Sequence, residues 1–314
     1  MIKYFIGPMS KNVVDAILEL GSDEIGFIPS RRQVDYNGGY VNNWTTKQFS
    51  EYVNGRVVIE RDHGGIGQGY KSDDGLQSFK QDATHFDIIH IDPWKVYQDF
   101  RKGVEEVITS IKYIYWKNPM IKFEVGTEES IRRFEVSELE NLLHNLEHKL
   151  PSNIFENIEY AVVQSGVGLD LGKQQNTGTF NPKRLEDMVK VCKKFGKKSK
   201  EHNGDYLSSK EYKDRFDLGL DSINIAPEFG QLETLVYLDN GDDTFIDRWY
   251  KICYDSKRWE KWVSKDFIPK DNKEELIKIC GHYVLSDEQF NLIKPDIDDE
   301  IKKTINNKLL ELLS

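Results

Sequence analysis

The stretch VVIERDHGGIGQGY, residues 57–70, carries the pattern on which the reading of this 314-residue chain turns. A β-branched run ends in Asp62 and His63, and glycines follow at 64, 65, 67 and 69. It reads as a strand that delivers a carboxylate and an imidazole into a loop nearly stripped of side chains. The arrangement recurs. Short apolar runs predict strands at 2–7, 24–29, 56–61, 86–91, 120–125, 159–164, 197–202 and 221–226, and most lead into a chemically rich segment. Helix-like segments separate them. The clearest is PKRLEDMVKVCKKFG (182–196), with proline at its start, apolar residues at helical spacing and glycine at its end; SELENLLHNLEHKL (137–150) reads the same way. Alternating strands and helices with chemistry at the strand ends predict an α/β protein, a (β/α)8 TIM barrel, in preference to an open doubly wound sheet. The barrel is expected over residues 1–240. Residues 241–314, aromatic and charged and then leucine-rich, are expected to form a helical C-terminal extension packed on it.

Composition narrows the function classes. Lys+Arg 43 against Asp+Glu 53 gives a net charge of −10, which argues against a general nucleic-acid binder but leaves room for a local basic pocket. Cys192, Cys253 and Cys280 are widely spaced and read as thiols of a reducing compartment. No run approaches the roughly 18 apolar residues of a membrane span. The expectation is a soluble cytoplasmic protein with a small-molecule substrate.

Side chains alternate between the faces of a strand, so parity sorts inward from outward positions. In DIIHID, Ile89 and Ile91 face the helices while His90 and Asp92 face the barrel. In IKFEVGTE, Lys122 and Glu124 face inward; in RVVIERD, Glu60 and Asp62; in KKSKEH, Lys198, Lys200 and His202. His63, at a strand end where parity loosens, can also turn into the mouth. Buried charge is costly unless it is paired, hydrogen-bonded or bound to metal. A single inward Glu–Lys pair would need no function, but acids, histidines and lysines delivered to one end by four strands point to a site. His63 and His202 are the foremost metal-ligand candidates, each beside an acid, with Asp92, Glu124, Glu128 or Glu201 available as a third ligand.

HGGIGQG lacks the spacing of a dinucleotide fingerprint. Its glycines either let backbone N–H groups approach an anion or sugar, or simply turn the chain. The loop SRRQVDYNGGY (30–40) offers Arg31 or Arg32 as a phosphate clamp and Gln33 or Asn37 as hydroxyl binders.

Taken in order, RRQVDYNGGYV, ERDHGGIG, IIHIDPW, FEVGTEES, VVQSGVGLD, KEHNGDYLS and INIAPEFG resemble the tagatose-bisphosphate aldolase accessory-subunit family. That family is grouped with class II aldolases and includes metal-dependent ketose 4-epimerases. The likeness runs from about residue 30 to 235. It implies a barrel acting on a sugar or sugar phosphate with a divalent metal, zinc foremost or manganese. Asp62 would be the acid/base, and His63 and His202 metal ligands. Glu128, Gln164 and Asp205 match family positions near the site. The resemblance also implies an alternative role, a non-catalytic subunit stabilising a partner aldolase, and self-association into a homo-oligomer is compatible with either. Two departures add charge to the pocket. Glu60 and Arg61 stand where small residues usually precede DH, and SKEH replaces FEAH, placing Lys200 two residues before His202. Lys200 thereby becomes a candidate Schiff-base lysine.

Overall fold

The computed structural model describes residues 1–70 and 72–314. Among the described residues there are ten strands: β1 Tyr4–Ile6, β2 Ile25–Phe27, β3 Glu60–Gly64, β4 Ile88–Ile91, β5 Lys122–Val125, β6 Ile158–Val163, β7 Val167–Asp170, β8 Gln175–Gly178, β9 Lys198–Glu201 and β10 Ser222–Ile225. Eight of them pair in parallel in the order β2-β1-β10-β9-β6-β5-β4-β3. Two isolated parallel bridges, Phe27↔Ile59 and Ser30↔Asp62, join the edge strands β2 and β3 and bring the sheet round into a barrel. The remaining pair, β7 and β8, forms an antiparallel hairpin after β6.

The helices of the outer layer are α1 Lys11–Leu20, α2 Thr46–Val53, α3 Leu76–His85, α4 Phe100–Lys117, α5 Val136–Lys149, α6 Ser152–Phe155, α7 Pro182–Lys194, α8 Ser209–Asp217 and α9 Pro227–Asn240. Local chemistry fixes their starts. Asn181 caps α7 by accepting from the Arg184 N–H, with Pro182 in the first turn, and capping boxes open α2 (Thr45, Gln48) and α8 (Ser208, Glu211).

All eight sequence-predicted strands are present, with one displaced. The run 56–61 was expected to end before Asp62, whereas β3 begins at Glu60 and continues through Asp62 and His63. The hairpin has little strand signal in the sequence, because QNTG carries no apolar side chain and VGLD only two.

Parity builds two cores. Ile89, Ile91, Phe123 and Val125 face outward into the layer between sheet and helices. Inside the barrel the apolar core is small, made of Phe5, Ile28, Ile88 and Tyr160. Charge sits above it. Lys200, fully buried, pairs with Glu60 and, at 2.8 Å, with Glu124, and its ammonium lies 3.9 Å from the Phe5 ring centroid and 4.4 Å from that of Tyr160.

After the barrel come α10 Asp243–Ser256, α11 Lys273–Cys280, α12 Glu288–Asn291 and α13 Asp298–Leu313. Helix α13 buries Ile301, Ile305, Leu309 and Leu312, and Lys302 reaches Glu19 of α1 at 2.8 Å. Phe245, Trp249 and Phe290 form an aromatic cluster with Tyr237 of α9. Cys192, Cys253 and Cys280 are buried free thiols. Among the described residues no helix is long and apolar enough to cross a membrane.

Candidate active site

Strand β3 sets the site through a local irregularity. Glu60 points into the barrel, and Arg61 points out to a buried bidentate pair with Asp82 of α3 at 2.7 and 2.9 Å. The register with β4 then shifts between Arg61 and Gly64. Within that bulge His63 takes a left-handed backbone, φ 43°, which a non-glycine residue rarely adopts. The bulge turns the imidazole toward the mouth. Gly64 and Gly65 make this packing feasible: a Cβ on Gly64 would lie 2.8 Å from the His90 carbonyl oxygen, and Gly65 has φ 109°. These glycines therefore serve the turn and the close approach of β4.

Three imidazoles meet there. His63 from β3, His90 from β4 and His202 just after β9 have ring centroids 5.1, 5.3 and 5.1 Å apart, nearly an equilateral triangle. One ligand atom from each ring and one oxygen of Asp62 all lie within 4.8 Å of one another. Each ring is braced from behind. His63 Nδ1 lies 2.6 Å from Asp92 Oδ2, His202 Nε2 is 3.0 Å from Glu124 Oε1, and His90 Nε2 is 3.0 Å from the Gly126 carbonyl oxygen. Such outer partners fix ring orientation and tautomer and leave the opposite nitrogen for a ligand. His63 Nε2 and His202 Nδ1 stand 3.4 and 3.8 Å from Asp62 Oδ1, a buried oxygen with no hydrogen-bond partner among the described residues. His90 Nδ1 accepts a long, 3.3 Å bond from the His63 amide.

Electrostatics follow from the bracing. Burial alone would lower the His63 pKa, but Asp62, Asp92 and Glu128 together raise it to about 10. His90 goes the other way, lowered by burial with Glu124 and Asp92 only partly offsetting it. Burial would raise Asp92, but its contacts with His63 hold it below its ordinary value. In the charged layer beneath, burial and the adjacent Glu124 push Glu60 up, whereas Lys200 and the histidines overcome burial and hold Glu124 down.

The residues singled out from sequence fall into different places. Asp62, His63 and His202 converge. Asp92 and Glu124, expected as ligands, brace His63 and His202 instead, and Asp92 is further engaged by Thr127 Oγ1 at 3.1 Å. Glu201 faces α8 and pairs with Arg215 at 2.7 Å. Lys200 does not have the surroundings of a Schiff-base lysine, since two carboxylates raise its pKa against burial and keep the amine protonated. Lys198, expected to share the inward face, pairs with Glu159 at 2.7 Å, and Lys122 contacts Asn157.

Arg31 is no phosphate clamp. It is buried, and its donors are spent on Asp35 (2.9 Å), Asp73 (2.6 and 2.8 Å) and the Gly65 carbonyl (3.0 Å). Gln164 pins the loop after β5 through Thr127, Arg132 and Phe134. Asp205 caps α9, accepting from the Ala226 and Glu228 amides, and burial beside Glu228 raises its pKa to about 8. Asn37 is exposed on its turn. Gln33 and Glu128 do reach the cavity.

That cavity, about 340 Å³, is lined by Asp62 and His63, by the loops after β2, β5 and β9, by Leu169 and Leu171 at the hairpin, and by Lys261, Trp262, His282 and Tyr283 of the C-terminal segment. Sequence reasoning placed His90 inward but outside the ligand set; its alternation within IIHID was the available signal. A second cluster, His144, Glu147 and His148, lies exposed on α5, where H-x-x-E-H spacing sets all three on one face.

No known family profile matches the chain, and no curated protein matches its sequence. Its fold does have close counterparts. A probable tagatose 6 phosphate kinase from Sinorhizobium meliloti 1021 matches with TM-score 0.74 and 12% identity, covering 99% of each chain. The fructuronate-tagaturonate epimerase UxaE from Cohnella laeviribosi matches with TM-score 0.63 and 12% identity, over 99% of this chain and 81% of that one. The YdjI aldolase from Escherichia coli K12 matches with TM-score 0.56 and 13% identity, over 99% and 91%. At these identities the likeness is one of fold.

Proposed function

We propose that the chain is a metal-dependent enzyme of aldol and retro-aldol chemistry on a sugar or sugar phosphate, with cleavage or C4 epimerisation as the net outcome. The observation that carries this reading is the triangle of three braced imidazoles beside an unpartnered buried carboxylate oxygen. His63, His90 and His202 would hold a divalent cation, zinc or a similar ion, which would act as a Lewis acid on a substrate carbonyl. The donor set fits: nitrogen ligands suit such ions, and the buried Asp62 oxygen faces the same centre. The names of the structural neighbours, an aldolase and a fructuronate-tagaturonate epimerase among them, support the same reading.

The chain's own groups would move the protons. Asp62 Oδ1 would take the proton from the hydroxyl β to the carbonyl. The oxygen lone pair then forms the C=O of the departing aldehyde, and the carbon–carbon bond electrons pass to the remaining fragment as an enediolate. Returning that proton after the aldehyde has rotated would give the epimer. Glu128, which lines the same cavity, would exchange a proton with the second fragment.

The test is metal analysis on a His144→Ala/His148→Ala background, so that the exposed α5 cluster contributes nothing. About one ion per chain, lost on adding either His63→Ala or His202→Ala, is the expected result. A chain that takes up no ion at the triad after reconstitution would sink the mechanism. Trapping a free aldehyde fragment then distinguishes cleavage from epimerisation.

A further inference from the structure

The C-terminal segment brings further polar groups to the cavity. His282 is 1% exposed and lines the cavity, yet neither ring nitrogen has a hydrogen-bond partner among the described residues. A buried imidazole left unpaired costs free energy unless a ligand or water completes it. Burial, with Arg258 and Lys261 nearby, lowers its pKa to about 3, so it is neutral and offers one donor and one acceptor.

Cations gather beside it. Lys261 lines the same cavity; partial burial, with Arg32 and Lys95 as neighbours, lowers its pKa to about 8. Lys95 comes from the loop after β4, where its ammonium donates to the Gly67 carbonyl at 3.1 Å, and Arg32 comes from the loop after β2. Elsewhere on this acidic chain lysines commonly sit on a carboxylate, as Lys183, Lys210 and Lys213 do. Among the described residues none of Arg32, Lys95 and Lys261 has a carboxylate oxygen within salt-bridge distance. The cavity lining therefore combines the acids Asp62 and Glu128 with an ammonium, Lys261, that has no carboxylate partner among the described residues and an unfilled imidazole, His282.

We propose that Lys261 and His282 form a subsite for an oxyanionic end of the substrate, a phosphoryl or carboxylate group. The inference rests on the proposed function only in taking this cavity as the substrate site. It makes the C-terminal segment a specificity element, since Lys261 and His282 both belong to it. Charge-assisted hydrogen bonds from the ammonium and a donor from the imidazole would fix the anionic end.

The test is calorimetric titration of the metal-free protein with inorganic phosphate and, separately, with glycolate. Saturable binding of at least one, weakened about tenfold or more by Lys261→Met, is expected. Preference for phosphate assigns a phosphoryl end, and preference for glycolate a carboxylate end. His282→Phe should weaken the same anion; if that buried variant fails to fold, the exposed Lys261→Met decides alone. No saturable binding of either anion, or equal binding by wild type and Lys261→Met, would overturn the subsite. Metal content measured on parallel samples keeps the two ideas apart, because loss of the ion site with anion binding intact defeats the aldol reading and leaves the subsite standing.

Discussion

His63 carries a proton in the metal-free site, because Asp62, Asp92 and Glu128 raise its pKa to about 10 against the effect of burial. A cation entering there has to displace that proton, so metal affinity should rise about tenfold per pH unit below that value. Competition titration with a zinc chelator between about pH 6 and 8 measures it; a flat profile would mean that His63 is not a ligand. The sign for stability is opposite. A pKa raised from 6.5 to about 10 stabilises the metal-free fold fully below pH 6.5, and that contribution is lost as pH rises through about 10. Asp62→Asn separates base from ligand: it should keep the ion and lose about 10²–10⁴-fold in turnover, read with whichever ketose or ketose phosphate is processed. Loss of the ion instead would make Asp62 a ligand. At this scale Asp62, His63 and His202 were legible because each lies at the end of a strand read from its own segment. The bracing roles of Asp92 and Glu124 were not, because they depend on the register of β4 and β5 against their neighbours, which no single segment contains.

Strands that bury their outward face announce themselves: Ile89, Ile91, Phe123 and Val125 made β4 and β5 readable to within a residue or two. β3 misled, since Val57 and Val58 have strand chemistry but lie before the portion paired with β4, and the bulge that follows is a property of two strands rather than one. The inward charges of β3, β5 and β9 also read correctly by parity, but their partners could not be assigned. They turn out to form one unit, Glu60–Lys200–Glu124, with Glu124 also holding His202. Lys200→Met should therefore act on the fold and the site together. Removing the ammonium leaves Glu124 buried without its cation, at a cost of about 3–5 kcal/mol by denaturant unfolding. A change below about 1 kcal/mol would show the layer to be dispensable for stability.

The barrel could be expected from its alternating elements, but its closure lies outside any local pattern, since β1 pairs with β2 on one side and with β10 on the other. The contribution of Lys261, Trp262, His282 and Tyr283 to the cavity was equally hidden, because aromatic segments usually pack against their own core. Closure also has a weak place. Between β2 and β3 the backbone contacts are the two isolated bridges, with Phe27 N–H donating to Val58 at 2.9 Å and Asp62 N–H to Pro29 at 3.1 Å, whereas β5 is joined to β4, and β6 to β9, along continuous ladders. Local opening begins where few bonds hold. In hydrogen–deuterium exchange the amides of Phe27 and Asp62 should therefore exchange before those of Val125 and Ala161, and similar rates would show the barrel to be uniformly tight. A cation held by His63 on β3 and His202 beyond β9 would tie opposite walls together. Loading the protein with zinc should then slow exchange along that seam, making the ion a mechanical brace for the barrel as well as its reagent.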